Sequence, residues 1–123
     1  MGLHPEQVAK DECSALGISA MPAVRDLADT AGIVSQLDLV ITVDSAMANL
    51  AGALGVPVWV MPTTVPELRW PPGALQSPWY PHARLFRRRV SRDWERVATD
   101  LSDALRASLK GTTTRDRFGA PAR

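Results

Sequence analysis

The sequence predicts an α/β fold, a parallel sheet with helices on both faces, from three observations in its middle third. The run Leu39 to Val43 is continuously apolar and β-branched, which fits a parallel strand covered on both sides. Small residues at Ala46, Ala48, Ala51, Gly52 and Ala53 then suit a short helix lying close to a sheet. Gly55 stops that helix as its C′ residue, Pro57 forbids its continuation, and a second apolar strand runs to Met61.

The remaining elements follow in chain order. His4 to Leu16 reads as a helix: Pro5 suits the first helical position, Glu6 the first turn, and Val8, Cys13 and Leu16 share a face. Met1 to Leu3 reads as the end of a first strand truncated at Met1. Ile18 to Val24 is expected as a short strand that Pro22 confines to an edge. Asp26 to Gln36 is expected as a second helix, with Leu27, Ala31, Val34 and Leu37 toward the core. The central strand, helix and strand fill residues 38–61. From Pro62 to Pro81, six prolines, Gly73, Trp70, Trp79 and Tyr80 make a long irregular loop, and connections of that length are commonly functional. Ala83 to Val90 reads as a further strand through Leu85, Phe86 and Val90. Ser91 is placed to cap a last helix, in which Trp94, Val97, Leu101, Ala104, Leu105 and Leu109 recur at helical spacing. Asp93 and Glu95 complement the positive end of that helix. Residues 111–123 have no period and few apolar side chains, so one domain is expected over 1–110 and a disordered tail beyond it.

Bulk composition excludes several classes. With 123 residues the chain supports one domain, and its 46% hydrophobic content is ordinary for a globular protein. No apolar stretch approaches the roughly 18 residues needed to cross a bilayer, and no secretory signal pattern is present. The single cysteine, Cys13, excludes an internal disulfide and reads as a structural thiol, so a cytoplasmic location is expected. Charge is divided unevenly. Residues 1–60 hold two basic and seven acidic side chains, a net of −5; residues 61–123 hold twelve basic and six acidic ones, a net of +6. That asymmetry favours an anionic partner or a docking surface for the second half, without the strongly basic balance of a DNA-binding domain. No nucleic-acid partner is expected.

The candidate chemistry centres on Asp44 and Ser45, at the carboxyl end of the first central strand, where open α/β sheets place ligands. The backbone N–H groups from Ser45 through Ala46 to Met47 open a helix and are suited to a phosphate, with the Ser45 hydroxyl beside them. Asp44 would accept hydrogen bonds from ligand hydroxyls or loop N–H groups. Helix capping alone accounts for both residues equally well. Arg84, Arg87, Arg88 and Arg89 form the densest basic cluster, read as a solvated edge or an interdomain surface ahead of a phosphate site. Trp70, Trp79 and Tyr80 either anchor the long loop or stack on a ligand ring, and anchoring is the favoured reading. His4 and His82 lack metal-ligand spacing, and no cofactor or metal is expected. No residue is assigned a catalytic role.

A longer pattern ties these pieces together. The segments D-L-A-D-T-A (26–31), L-D-L-V-I-T-V-D-S-A-M-A-N-L-A-G-A-L-G-V-P-V-W-V (37–60), P-E-L-R-W (66–70) and S-P-W-Y-P with R-L-F-R (77–87) cover about half of the chain in one order. Together they resemble the C-terminal domain of bacterial GT-B glycosyltransferases, nearest to family 9, the heptosyltransferase-like enzymes, and to the related domains that follow tetratricopeptide repeats. The resemblance implies a Rossmann-like sheet and a nucleotide-sugar donor whose diphosphate sits on the Asp44-Ser45-Ala46 turn. It implies that the loop from Pro62 and Thr63 faces the donor, and that Glu6 lies near a carboxylate presented to the ribose. The family usually carries histidine where this chain has Asn49, an amide that hydrogen-bonds phosphate without titrating near neutral pH. There is no Asp-x-Asp motif, which implies metal-independent transfer. A GT-B enzyme takes its acceptor site and catalytic base from an N-terminal domain, so the expected partner is such a domain or another subunit, and the isolated chain is expected to be a fragment without activity. The alternative is a non-catalytic α/β module that docks through its basic second half.

Overall fold

Three consecutive residues of one strand, Val58, Trp59 and Val60, are each 0% exposed. Side chains alternate along a strand, so burial of all three requires cover on both faces. In the computed structural model, which describes residues 10–19, 21–63, 65, 67–88, 93–110 and 118, this strand is the centre of a three-stranded parallel sheet. The sheet runs in the order β1 (Val40–Val43), β2 (Val58–Met61), β3 (Ala83–Leu85). Val40 pairs with Val58 and Val43 with Met61, while Val58 pairs with Ala83 and Val60 with Leu85. The chain is therefore an α/β protein with a small sheet.

Residues 1–30 and 31–123 form two compact units, with the boundary inside a helix. In the first, α1 (Lys10–Ala15) is the described part of the helix expected over residues 4–16. Residues 21–24 are irregular rather than a strand, and Pro22 and Val24 are exposed. The physical reason is the one Pro22 already supplies, a missing N–H and a fixed φ. α2 (Leu27–Val34) begins at Asp26, whose Oδ1 accepts the Asp29 N–H at 2.9 Å and satisfies one of the free donors of the first turn. Arg25 adds two side-chain hydrogen bonds to the Asp29 carboxylate, of 2.9 and 3.0 Å. They hold that acid below its ordinary range. Leu27, expected toward the core, is 68% exposed; Val34, past the boundary in the second unit, is 0% exposed.

In the second unit, α3 (Ala46–Ala53) connects β1 to β2 and packs along both strands, with Ala48 and Ala51 fully buried. Gly55 has φ +72°, the left-handed conformation expected just past a helix end, and the Gly55 N–H bonds Gly52 O at 3.1 Å. The face carrying Trp59 is covered by α4 (Trp94–Leu109). Val97 joins Trp59 and Phe86 in a buried cluster, with Leu101, Ala104 and Leu105 against it.

Three expectations change here. β1 is an edge strand among the described residues, so Ile41 and Val43 are 44% and 48% exposed instead of covered. Ser91 lies outside the described residues; Asp93 occupies the N-cap position of α4 and makes no side-chain capping bond. Within α4 the apolar stripe is narrower than its spacing implied. Leu109 is 60% exposed and Trp94 45%, and the Trp94 ring carries the Arg88 guanidinium 4.4 Å from its centre instead of entering the core.

One residue of the expected disordered tail is described, and it belongs to the core. Phe118 is 5% exposed, meets Trp59 edge-on at 6.2 Å, and its carbonyl accepts the Trp59 indole N–H at 2.9 Å. A buried indole needs an acceptor, and the chain finds it 59 residues away.

Candidate functional site

Because all three strands are parallel, their carboxyl ends share one edge of the sheet. Asp44 follows β1, Pro62 and Thr63 follow β2, and Phe86 and Arg87 follow β3. The pairing of Val43 with Met61 sets Asp44 beside Pro62, one step beyond the last strand pair. Pro62 is buried and Thr63 exposed. Asp44, Ser45, Ala46, Met47 and Asn49 are thus gathered with Pro62 and Thr63 at this edge. Glu6 lies outside the described residues.

Ser45 occupies the N-cap position of α3 with extended backbone, yet its hydroxyl does not cap the helix. The hydroxyl sits 3.1 Å from Thr42 Oγ1 instead, across the turn. Capping by Ser45, one of the two readings of this residue, is therefore absent. The first intrahelical acceptor is Ser45 O, which takes the N–H groups of Ala48 and Asn49 at 3.1 and 3.4 Å. The N–H groups of Ala46 and Met47 precede that bond and point out of the helix end, as the first donors of any helix do. Met47 is 8% exposed, so only its backbone serves the turn.

The long loop closes on this edge. Trp70 is 1% exposed and donates its indole N–H to Asp44 Oδ1 at 2.9 Å. Asn49 Oδ1 accepts two hydrogen bonds of 3.2 Å each, from Arg69 Nη1 and from the Tyr80 hydroxyl, while Asn49 Nδ2 donates to Ser45 O at 3.2 Å. Arg69 also pairs with Glu67 at 2.7 Å, and that carboxylate, with a smaller contribution from Asp44, raises its pKa above the ordinary value. The Tyr80 ring lies over Gly52: a methyl added there would fall 2.5 Å from Tyr80 Cγ. Gly52 is small for the loop rather than for the sheet.

Arg87 holds the other side of the loop. Its Nη2 donates to Trp70 O and Pro71 O at 2.7 and 2.6 Å, and its Nε reaches Ala74 O at 3.5 Å. Ser77, 5% exposed, receives the N–H groups of Trp79 and Tyr80 on its hydroxyl. Anchoring is therefore what Trp70 and Tyr80 do, while Trp79 is 59% exposed. Arg84 and Arg87 of the arginine cluster are not a solvated edge. Arg84 lies over the rings of Trp59 and Phe86 at 5.5 and 4.8 Å, Arg87 staples the loop, and burial lowers the pKa of both. Arg88 stacks on Trp94; Arg89 is outside the described residues.

Chemically, this edge offers two outward backbone donors, one guanidinium, and a carboxylate whose Oδ2 has no donor among the described residues. Such a set has the chemistry to accept an anion at the helix end and a hydroxyl at Asp44. Among the described residues no three His, Cys, Asp or Glu side chains are grouped to hold a metal ion. Sequence reasoning gave Arg69 no role and read Arg87 as part of a basic edge rather than as the residue that holds the loop. The signal for Arg69 was present in part: the P-E-L-R-W segment brings a donor-only indole and a cation into one motif.

No family model matches the chain, and no solved structure does. It is 39% identical over 82 residues to the protein FlbA of Caulobacter vibrioides, an alignment that takes in 63% of this chain and 13% of FlbA. The chain thus spans about one eighth of that relative, and its likeness is to a segment of FlbA.

Proposed function

We propose that this chain is the nucleotide-sugar-binding half of a GT-B glycosyltransferase, a Rossmann-like domain working in the cytoplasm on an acceptor held by a second domain or subunit. The observation that carries the proposal is the Asp44–Ser45 turn at the shared carboxyl edge of a parallel sheet, with the open end of α3 and the Arg69 guanidinium beside it. A donor diphosphate would sit on the N–H groups of Ala46 and Met47, with Asp44 accepting from a donor hydroxyl. In transfer, the acceptor oxygen forms its bond to the anomeric carbon as the bond to the diphosphate oxygen breaks. The electron pair leaves with the nucleoside diphosphate, and the hydroxyl proton passes to a base outside this chain. The helix end and Arg69 stabilise the charge that grows on the leaving group.

A second reading has its own observation. Asp44 Oδ1 and Asn49 Oδ1 are already engaged by Trp70, Arg69 and Tyr80, all from the chain itself. That arrangement also suits a non-catalytic module in which the turn serves to seat the loop. Calorimetric titration with UDP-, GDP- and ADP-sugars separates the two. The donor reading expects saturable binding that weakens about tenfold or more in Ser45→Ala and Asp44→Ala, the loss of one or two charge-assisted contacts. Ser45→Ala is the cleaner arm, since Asp44→Ala also frees Trp70. Absence of binding at millimolar ligand overturns the donor reading and leaves the module.

A further inference from the structure

A cleft of about 440 Å³ opens between residues 73–75, β3 and α4. Its lining is divided by charge. Arg84 and Arg87 stand on the strand wall, Asp100 and Asp103 on the helix wall, and Leu75, Leu85, Phe86 and Ala104 fill the space between. The two arginines are not equivalent. Arg87 is committed to the carbonyls of Trp70, Pro71 and Ala74. Arg84 lies over the faces of Trp59 and Phe86, and among the described residues no carboxylate pairs with it. Across the cleft, Asp103 has a single long contact of 3.8 Å with Arg106, and Asp100 has no ion pair among the described residues.

A half-buried guanidinium with no carboxylate partner among the described residues is an arrangement that an anionic group would stabilise. The facing carboxylates repel a simple anion, and they attract an ammonium. We propose that this cleft binds a small zwitterion, a free α-amino acid with an aliphatic side chain, its carboxylate on Arg84 and its ammonium on Asp100 and Asp103. A space of about 440 Å³ is large enough to admit such a molecule with its side chain. Leu75, 65% exposed, and Leu85 supply the apolar wall for the side chain.

The site is independent of the donor turn, and its test needs no nucleotide. L-leucine is titrated into the 15N-labelled protein, with N-acetyl-leucine, which lacks the ammonium, and leucinamide, which lacks the carboxylate, as parallel arms. Leucine should give saturable shifts at the Leu75, Leu85 and Ala104 amides, and both analogues should bind about tenfold more weakly or worse. Arg84→Gln should reduce leucine binding to the level of leucinamide. Asp100→Asn with Asp103→Asn, on an exposed helix face that leaves the core intact, should reduce it to the level of N-acetyl-leucine. No saturable shift at about 20 mM leucine, a range that covers very weak ligands, overturns the proposal, as does equal binding of leucine and either analogue.

Discussion

Replacing Gly52 by alanine sets two effects of known size against each other. Gly52 sits inside α3 without a left-handed backbone, so alanine there removes the helix penalty of glycine, about 1 kcal/mol in favour of the variant. The new methyl, however, would lie 2.5, 2.7 and 2.8 Å from Tyr80 Cγ, Cδ1 and Cδ2. These are ring atoms near the root of the side chain, so relief requires the whole ring to move. Moving it disturbs the Tyr80 hydroxyl bond to Asn49 and the contact with Trp70 at 5.9 Å between ring centres. Overpacking of this kind costs about 1–3 kcal/mol, and a lost hydrogen bond about 1 kcal/mol more. The clash wins, and Gly52→Ala should destabilise by about 1–3 kcal/mol net. Urea denaturation followed by tryptophan fluorescence measures it. The decisive control is the same change in a Tyr80→Ala background, where the obstacle is gone and alanine should be neutral or stabilising by up to about 1 kcal/mol. A Gly52→Ala protein more stable than the parent would refute the packing of the loop on α3.

Three further changes probe other parts of the molecule. Asp26→Ala removes the side-chain acceptor of the Asp29 N–H and should cost about 1 kcal/mol by denaturation, with loss of amide protection confined to the start of α2. The Asp29 carboxylate, lowered by the Arg25 side-chain bonds, should titrate below the ordinary carboxylate range in a 13C NMR pH series. Because its folded pKa lies below its unfolded one, the pair's contribution is present above the unfolded value and fades as pH falls through the folded value; in Arg25→Gln the titration should return toward the ordinary carboxylate range. Phe118→Ala empties a buried aromatic site against Trp59 and Phe86 and should cost about 3–5 kcal/mol, with a change in Trp59 emission. An unchanged midpoint would remove residue 118 from the core.

The central unit was legible because its determinants are local. Apolar runs, small helix residues, Gly55 and Pro57 lie within one stretch, and each acts on the backbone it belongs to or on its immediate neighbours. The parallel sense of the strands followed from the helix between them, and with it the edge where Asp44, Ser45 and Asn49 collect. What the loop does was not local. Trp70 and Arg69 announce a need, an acceptor for an indole and a partner for a cation, but many groups in the chain satisfy that need equally well on paper. Only the packed chain selects Asp44, 26 residues away from Trp70, and Asn49, 20 residues away from Arg69. Phe118 shows the same limit at its sharpest. A lone aromatic in an aperiodic polar stretch carries no pattern, and its place is decided by the cavity beside Trp59. The edge position of β1, which leaves Ile41 and Val43 half exposed, is likewise a property of strand order rather than of the strand. Sequence periodicity determines which backbone segments become strand or helix; complementary shape and hydrogen-bonding demand, satisfied across long separations, decide which side chains meet.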